Sequence, residues 1–204
     1  MRVLALISAL VLAAAASAAV PEGLYTLDKA HTSLLFRVNH LGFSTFTGRF
    51  TRLDAKLQTD PAKFADSKLE VTIDPTSIAS DNAPDGFLAM LSGKGWLDSA
   101  DFPEIKYRST SVEVVKAGTL RVHGELTLHG VTKPVDLVAK YNGGYAGHPM
   151  DPHARIGFSA HGTFKRSDFG VSAGIPAPGT TMGVGDEMEI VLETELSGPP
   201  LVAN

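Results

Sequence analysis

The chain predicts an all-β fold, an antiparallel sandwich or barrel. Three observations carry this. Apolar and polar residues alternate with a period of two along one segment after another, the mark of pleated strands with one face in an apolar interior. These segments follow each other at short spacing. One interior stretch, Asp81 to Phe102, breaks the pattern.

The first residues, MRVLALISALVLAAAASAAVPEG, join a positive start at Arg2 to an apolar run from Leu4 to Leu12 and small residues ending in Ala16-Ser17-Ala18. This is the layout of a secretory signal peptide over residues 1–19, cut near Ala18 or Ala19. A membrane span is the weaker reading, because the run dissolves into Ala and Ser. With no Cys at the cut, a lipoprotein anchor is excluded. The expected product is exported, to a bacterial periplasm, as one domain over residues 20–204.

From Tyr25 to Phe50, two runs meet at Gly42-Phe43. Leu34, Phe36, Val38 and His40 fall on one face of the first run, Leu35, Arg37, Asn39 and Leu41 on the other. Leu69, Val71 and Ile73 alternate with Glu70, Thr72 and Asp74. In the interruption, Pro84 is placed to open a helix capped by Asp81 or Asn82. Phe87, Leu88 and Leu91 then share one side. One or two short helices are expected around residues 83–98, ending at Gly93 and Gly95, with Trp96, Leu97 and Phe102 packing inward.

Val122, Leu126 and Leu128 alternate with Arg121, His123, Glu125 and Thr127. Beyond a turn near His129-Gly130-Val131-Thr132 come Val135, Leu137, Ala139 and Tyr141. Ile156, Phe158, Ala160 and Phe164 form a further row, as do Met188, Ile190 and Leu192. Each reads as an apolar-in, polar-out strand. The Gly- and Pro-rich loop 142–152 and the tail Gly198-Pro199-Pro200 are the expected mobile parts.

The formal charge is −4, from 18 basic and 22 acidic residues, and −5 once Arg2 leaves with the leader. The charges are dispersed, a poor surface for nucleic acid or anionic membranes. The chain has no cysteine, which excludes disulfides, thiolate metal sites and cysteine catalysis. The fold must stand on its core alone.

Gly170-Val171-Ser172-Ala173-Gly174 matches the G-x-S-x-G pattern of serine hydrolases. That motif works on a strand-to-helix elbow, and Ile175-Pro176-Ala177-Pro178-Gly179 cannot supply the helix. Arg166 and Asp168, two apart on a strand-like segment, could pair on one face. The seven histidines show no metal spacing. His40 differs from the rest because it shares a row with Phe36 and Val38, where it is either a satisfied core residue or a donor to a buried head group. Gly124, Gly157 and Gly162 lie within strands, where they weaken the strand unless a bulge, a bend or a close approach requires them.

Several segments together resemble the YceI-like family. They are His31-Thr32-Ser33 with Phe36, Val38 and His40; Gly48-Arg49-Phe50; Trp96-Leu97-Asp98 with Asp101-Phe102-Pro103; the run from Gly124 to Val135; and Lys165 to Gly170 followed by Val184-Gly185-Asp186. The resemblance spans about Leu24 to Leu196. It implies an extended antiparallel lipocalin-like β-barrel of about eight strands, with a long apolar cavity and no covalent catalysis. The implied ligand is a polyisoprenoid, an isoprenoid quinone or a similar amphiphile; no other cofactor and no metal are expected. One departure is Asp81 to Gly86, where the family usually carries a charged, often Arg- and His-bearing, segment.

On this reading the expected ligand-binding residues are Phe36, Val38, His40, Phe43, Phe46, Trp96, Phe102, Leu126, Leu128, Phe158 and Phe164, with His40 or Arg166 near a rim to meet the head group. The acidic surface favours an uncharged head over a diphosphate. Transient contact with a membrane or a membrane redox protein, and a homodimer, are left open as partners. Two rival functions are an exported hydrolase using Ser172 and a dry-core interaction module serving a membrane redox partner.

Overall fold

A computed structural model describes residues 19–201; the expected leader, apart from Ala19, lies outside them. Twelve strand segments form one sheet. They are β1 (Gly23–Leu27), β2 (Ser33–His40), β3 (Ser44–Phe50), β4 (Leu53–Thr59), β5 (Lys68–Ile73), β6 (Ile78–Ala79), β7 (Ile105–Lys116), β8 (Thr119–Leu128), β9 (Val131–Pro134), β10 (Leu137–Tyr145), β11 (His153–Lys165) and β12 (Val184–Pro200). One short helix, α1 (Phe87–Ser92), interrupts them. The ladder β1-β4-β5-β7-β8-β10-β11-β12 closes where β12 returns to β1, so eight antiparallel strands make a barrel. The lipocalin-like barrel is therefore the fold, and the sandwich is not.

Several segments are halves of one long strand. Lys29–His31 separates β1 from β2, and Thr51-Arg52 separates β3 from β4. Pairing nevertheless continues across both breaks: Thr26 faces Lys56, and Leu34 faces Phe50. Pro75–Ser77 parts β5 from β6 in the same way. An aspartate sits at two of these breaks. Asp28 accepts from the Ala30 amide at 3.0 Å, and Asp74 from the Thr76 amide at 2.8 Å, so the side chain replaces the ladder bonds that the bend gives up.

β12 is unbroken over 17 residues. One edge pairs with β11 from Lys165↔Glu187 to His153↔Pro200. The other edge takes β2 along its first half and β1 at Leu196 and Ser197. The Gly198-Pro199-Pro200 tail is thus part of a paired strand rather than mobile. The 142–152 loop is also held more firmly than expected. β10 runs on to Tyr145, whose hydroxyl donates to Asp151, and Arg155 bonds Asp151 through Nε at 2.6 Å while its Nη1 meets Asp28.

The helix starts at Phe87 behind Gly86 in the left-handed region (φ 77°), with no side-chain cap. Asp81, expected as a cap, is bound instead to Arg49 at 2.7 Å. Asn82, the alternative cap, sits in a left-handed turn (φ 54°) four residues ahead of the cap position, which Gly86 occupies. The helix ends at Gly93, as expected.

Inside the barrel, aromatic rings lie against glycines on the neighbouring strand. A Cβ on Gly48 would come within 2.3 Å of the Phe36 ring, one on Gly124 within 2.4 Å of the Tyr107 ring, and one on Gly198 within 2.1 Å of the Tyr25 ring. Gly124 therefore serves a close approach. The Arg166 segment is a 3-10 turn, Arg166–Phe169, and not a strand. Arg166 turns inward while Asp168 stays exposed, so the expected pair does not form.

Tyr25 is fully buried and its hydroxyl donates to Pro21 O at 2.6 Å. Burial pushes its pKa up to about 12, and burial raises that of Tyr107 as well. An unfolded phenol ionises near pH 10, at about its unperturbed value. The fold prefers the neutral phenol, so its stabilisation is complete below about pH 10 and is lost as pH rises toward about 12. Urea titrations across that range should show steadily falling stability, with a smaller slope for Tyr25→Phe than for the parent protein.

Candidate functional site

The barrel does not fill its own interior. β6 has only two residues, and beyond it the segment carrying α1 takes the place of a continuing strand. A cavity of about 980 Å³ lies under that segment. β2 contributes Leu34, Phe36 and Val38 to its wall, β3 Phe46 and Phe50, β8 Leu126 and Leu128, β12 Met188 and Ile190. Phe164 of β11 and Phe87, Leu91 and Trp96 of the helical segment complete the apolar surface. Phe36 anchors an aromatic row, with centroids 5.5 Å from Phe50 and 6.2 Å from Phe46, and Phe46 meets Phe87 edge-on at 5.9 Å.

His40, Ser44, Asp81 and Asn82 line the cavity and are exposed, as are Thr45, Thr47 and Arg49, which marks the mouth along β3. A second, smaller cavity of about 90 Å³ sits further along the barrel, lined by side chains such as Leu57, Val122 and Phe158. The rings of Phe64 and Phe158, which line it, pack against each other and against Tyr141.

Of the twelve expected ligand-binding residues, nine meet on the wall of the large cavity: Phe36, Val38, His40, Phe46, Trp96, Leu126, Leu128, Phe164 and Arg166. Three do not. Phe43 is 79% exposed, because the left-handed Leu41 (φ 59°) and Gly42 (φ 75°) reverse the chain and leave it at the turn's tip, out of the strand's alternation. Phe102 packs on the β8–β9 turn instead, its ring 4.6 Å from that of His129 and pressed over Gly130. Phe158 faces inward but belongs to the small cavity.

Arg166 is 3% exposed and forms no ion pair with any carboxylate among the described residues. Three main-chain carbonyls hold it instead. Nε donates to Gly185 O at 2.8 Å, Nη1 to Val171 O at 3.0 Å and Nη2 to Val184 O at 2.8 Å. The Trp96 ring covers the guanidinium at 5.3 Å. Burial pulls its pKa down, against the pull of Asp186 in the other direction. Asp186 is itself engaged with the amide and hydroxyl of Ser167, at 2.9 and 2.8 Å. Arg166 thus ties the 3-10 turn to the start of β12 and fixes the wall near the mouth. Arg49, the other cation on the wall, is paired with Asp81.

Ser172 lies exposed in an irregular segment with no helix after it. Its hydroxyl hydrogen-bonds to no histidine among the described residues, so the elbow that its motif requires is missing. Asp28, His31 and Glu195 bring possible ligand atoms within 4.8 Å of one another. Asp28 is already engaged by Arg155 and His31, and the cluster is not part of the cavity wall.

Wall residues outside the expected ligand-binding set include Leu34, Phe50, Ile73, Phe87, Leu91, Ile105, Met188 and Ile190. The same alternation carried most of them. What it could not rank was which inward positions face space and which face other side chains.

The family described as the YceI-like domain matches residues 25–196. The UPF0312 protein of Shewanella denitrificans is 39% identical over 151 residues, covering 72% of this chain and 76% of that protein. The Campylobacter jejuni YceI protein superposes with a TM-score of 0.67 at 29% identity, over 86% of this chain and 98% of that one. BcnA of Burkholderia cenocepacia superposes at 0.70 with 24% identity, over 83% and 98%. A polyisoprenoid binding domain from Saccharophagus degradans does so at 0.62 with 16% identity, over 86% and 98%. The last two are likenesses of fold.

Replacing Arg166 by Met should cost about 3 kcal/mol of folding stability, because three carbonyls lose a charged donor while staying buried. His40→Ala, at an exposed position, should cost less than about 0.5 kcal/mol. Urea denaturation of both variants checks the contrast, and equal losses would remove the structural role given to Arg166.

Proposed function

The chain belongs to the YceI-like domain family, and from that premise we propose that it is an exported, periplasmic protein that sequesters or carries one long apolar lipid, without covalent catalysis. The observation that carries this reading is the 980 Å³ cavity, whose wall is mostly apolar. An amphiphile would enter tail first and leave its head among His40, Ser44 and Asn82. Burying each CH₂ gains roughly 0.8 kcal/mol, so a few isoprene units outweigh one ordinary hydrogen bond of about 1 kcal/mol.

The ligand class is a polyisoprenoid, an isoprenoid quinone or a similar amphiphile. The polyisoprenoid binding domain that shares this fold supports that choice. An uncharged head is favoured because both wall cations, Arg49 and Arg166, are already committed within the protein. A dry-core interaction module fits poorly with so much unfilled interior. Beside the mouth, Phe43 and the 63%-exposed Met182 stand on adjacent turns joined by the Leu41 amide and Gly183 O at 2.8 Å. This exposed apolar pair supports transient contact with a membrane during lipid exchange.

Native mass spectrometry of protein purified from a quinone-producing host should reveal a bound long, uncharged isoprenoid, confirmed by solvent extraction. An extract without lipid would overturn the carrier, and a bound fraction of phosphorylated lipids alone would overturn the uncharged head. Leu128→Trp, which fills the large cavity, should cut lipid retention at least several-fold in folded protein. Phe158→Trp alters the small cavity and should leave retention near the parent level.

Phe43→Ser should slow lipid transfer to vesicles without changing the amount of lipid held at equilibrium. Equal transfer rates would remove the turn from the exchange step. Ser172→Ala should leave any ester turnover unaltered.

A further inference from the structure

The two cavities are stacked along one barrel and divided at a narrow waist. On β8, Leu126 lines the large cavity and Val122 the small one, with Gly124 between them. The ring of Tyr107 occupies the space that a side chain at Gly124 would fill. Tyr107 faces the interior, opposite Leu126 across the β7–β8 ladder, yet it lines neither cavity. On β12 the same division falls between Ile190 and Leu192.

The ring is held there. Its hydroxyl is shared between two main-chain carbonyls, Val122 O at 3.2 Å and Val135 O at 3.0 Å. The second carbonyl belongs to the break between β9 and β10, where Val135 returns a bond from its amide to Gly124 O at 2.9 Å. A phenol anchored at both ends, between the strand that carries it and the carbonyls that it reaches, resists displacement better than an aliphatic side chain would.

Resting on the lipid-carrier reading above, we propose that Tyr107 is the floor of the ligand cavity and sets the longest tail that the barrel accepts. A tail entering at His40 would run down the Phe36 and Phe50 row and stop at this ring. The small cavity below stays outside the binding volume. Its volume of about 90 Å³ is small beside the about 980 Å³ above the waist, so it adds room for only a short length of tail. Opening the waist should therefore lengthen the accepted tail only slightly.

The test offers the full-length mature protein an equimolar series of polyprenols of graded length and reads the bound masses by native mass spectrometry. Tyr107→Leu should raise the longest bound polyprenol by about one isoprene unit. Tyr107→Phe keeps the ring and loses the hydroxyl, so its stability should fall while its length limit stays put. Ala160→Leu fills the small cavity just beneath the waist, where Ala160 faces Leu192, and should also leave the limit unchanged.

An unchanged limit in folded Tyr107→Leu overturns the floor and leaves the carrier reading intact. A shorter limit in Ala160→Leu also overturns it, because the tail would then already pass the waist; this arm decides the matter should Tyr107→Leu not fold. Failure of the parent protein to bind any polyprenol of the series, together with a lipid-free extract, overturns the carrier reading and the floor with it.

Discussion

Everything in this molecule hangs on β12. It is the longest strand, 17 residues without a break, it lines both cavities, and it presents both edges to other strands over most of its length. Its β11 edge is a single long ladder. Its other edge is divided, β1 taking one end and β2 the other. That division lets the barrel close tightly where β1 meets β4 and flare where β2 meets β3. The ladder closes fully through β1 and β4, whereas on the other side β3 pairs with β6 at two positions only, and there the wall surrounds space and not side chains. Without cysteines, hydrogen-bonded closure and core packing carry the whole load.

The flare needs its polar groups answered locally. A guanidinium buried without a carboxylate would be costly. Arg166 is accommodated by the Val171 carbonyl and by two carbonyls at the irregular start of β12, where Val184 and Gly185 lie ahead of the regular β2 pairing that resumes at Met188. The same cation that compensates for irregular backbone thereby keeps the mouth in shape. Burial of Arg166 and openness of the cavity are two sides of one arrangement: the charge is used up by the protein, and the space beside it is left apolar.

The barrel itself was legible because its signal is repeated. Leu126 and Leu128, Ile156 and Phe158, Met188 and Ile190 all alternate, and each pair sits on an inward face. Alternation fails where the chain reverses, which is why Phe43 was misplaced: one left-handed residue before Gly42 moved it from wall to tip. It failed again at Phe102, whose partner His129 is distant in sequence and signalled by nothing local. Arg166 was read as one of a pair because a two-residue spacing suits a strand, and the 3-10 turn turned its side chain away from Asp168. The line between the two cavities was beyond period-two reasoning altogether. It depends on a ring from β7 filling the gap over a glycine of β8, a contact between strands that only their register defines.

Trp96 is the only tryptophan in the chain, and it stands on the cavity wall with a cation against its face. The protein therefore carries a built-in optical probe at the place where a guest would lie. Indole emission shifts with the polarity around the ring and is quenched by electron acceptors in contact with it. A redox-active guest would darken the protein, whereas a plain hydrocarbon tail would only shift its colour. Occupancy and guest class are thus separable by light alone, on unlabelled protein, in the time it takes to mix two solutions.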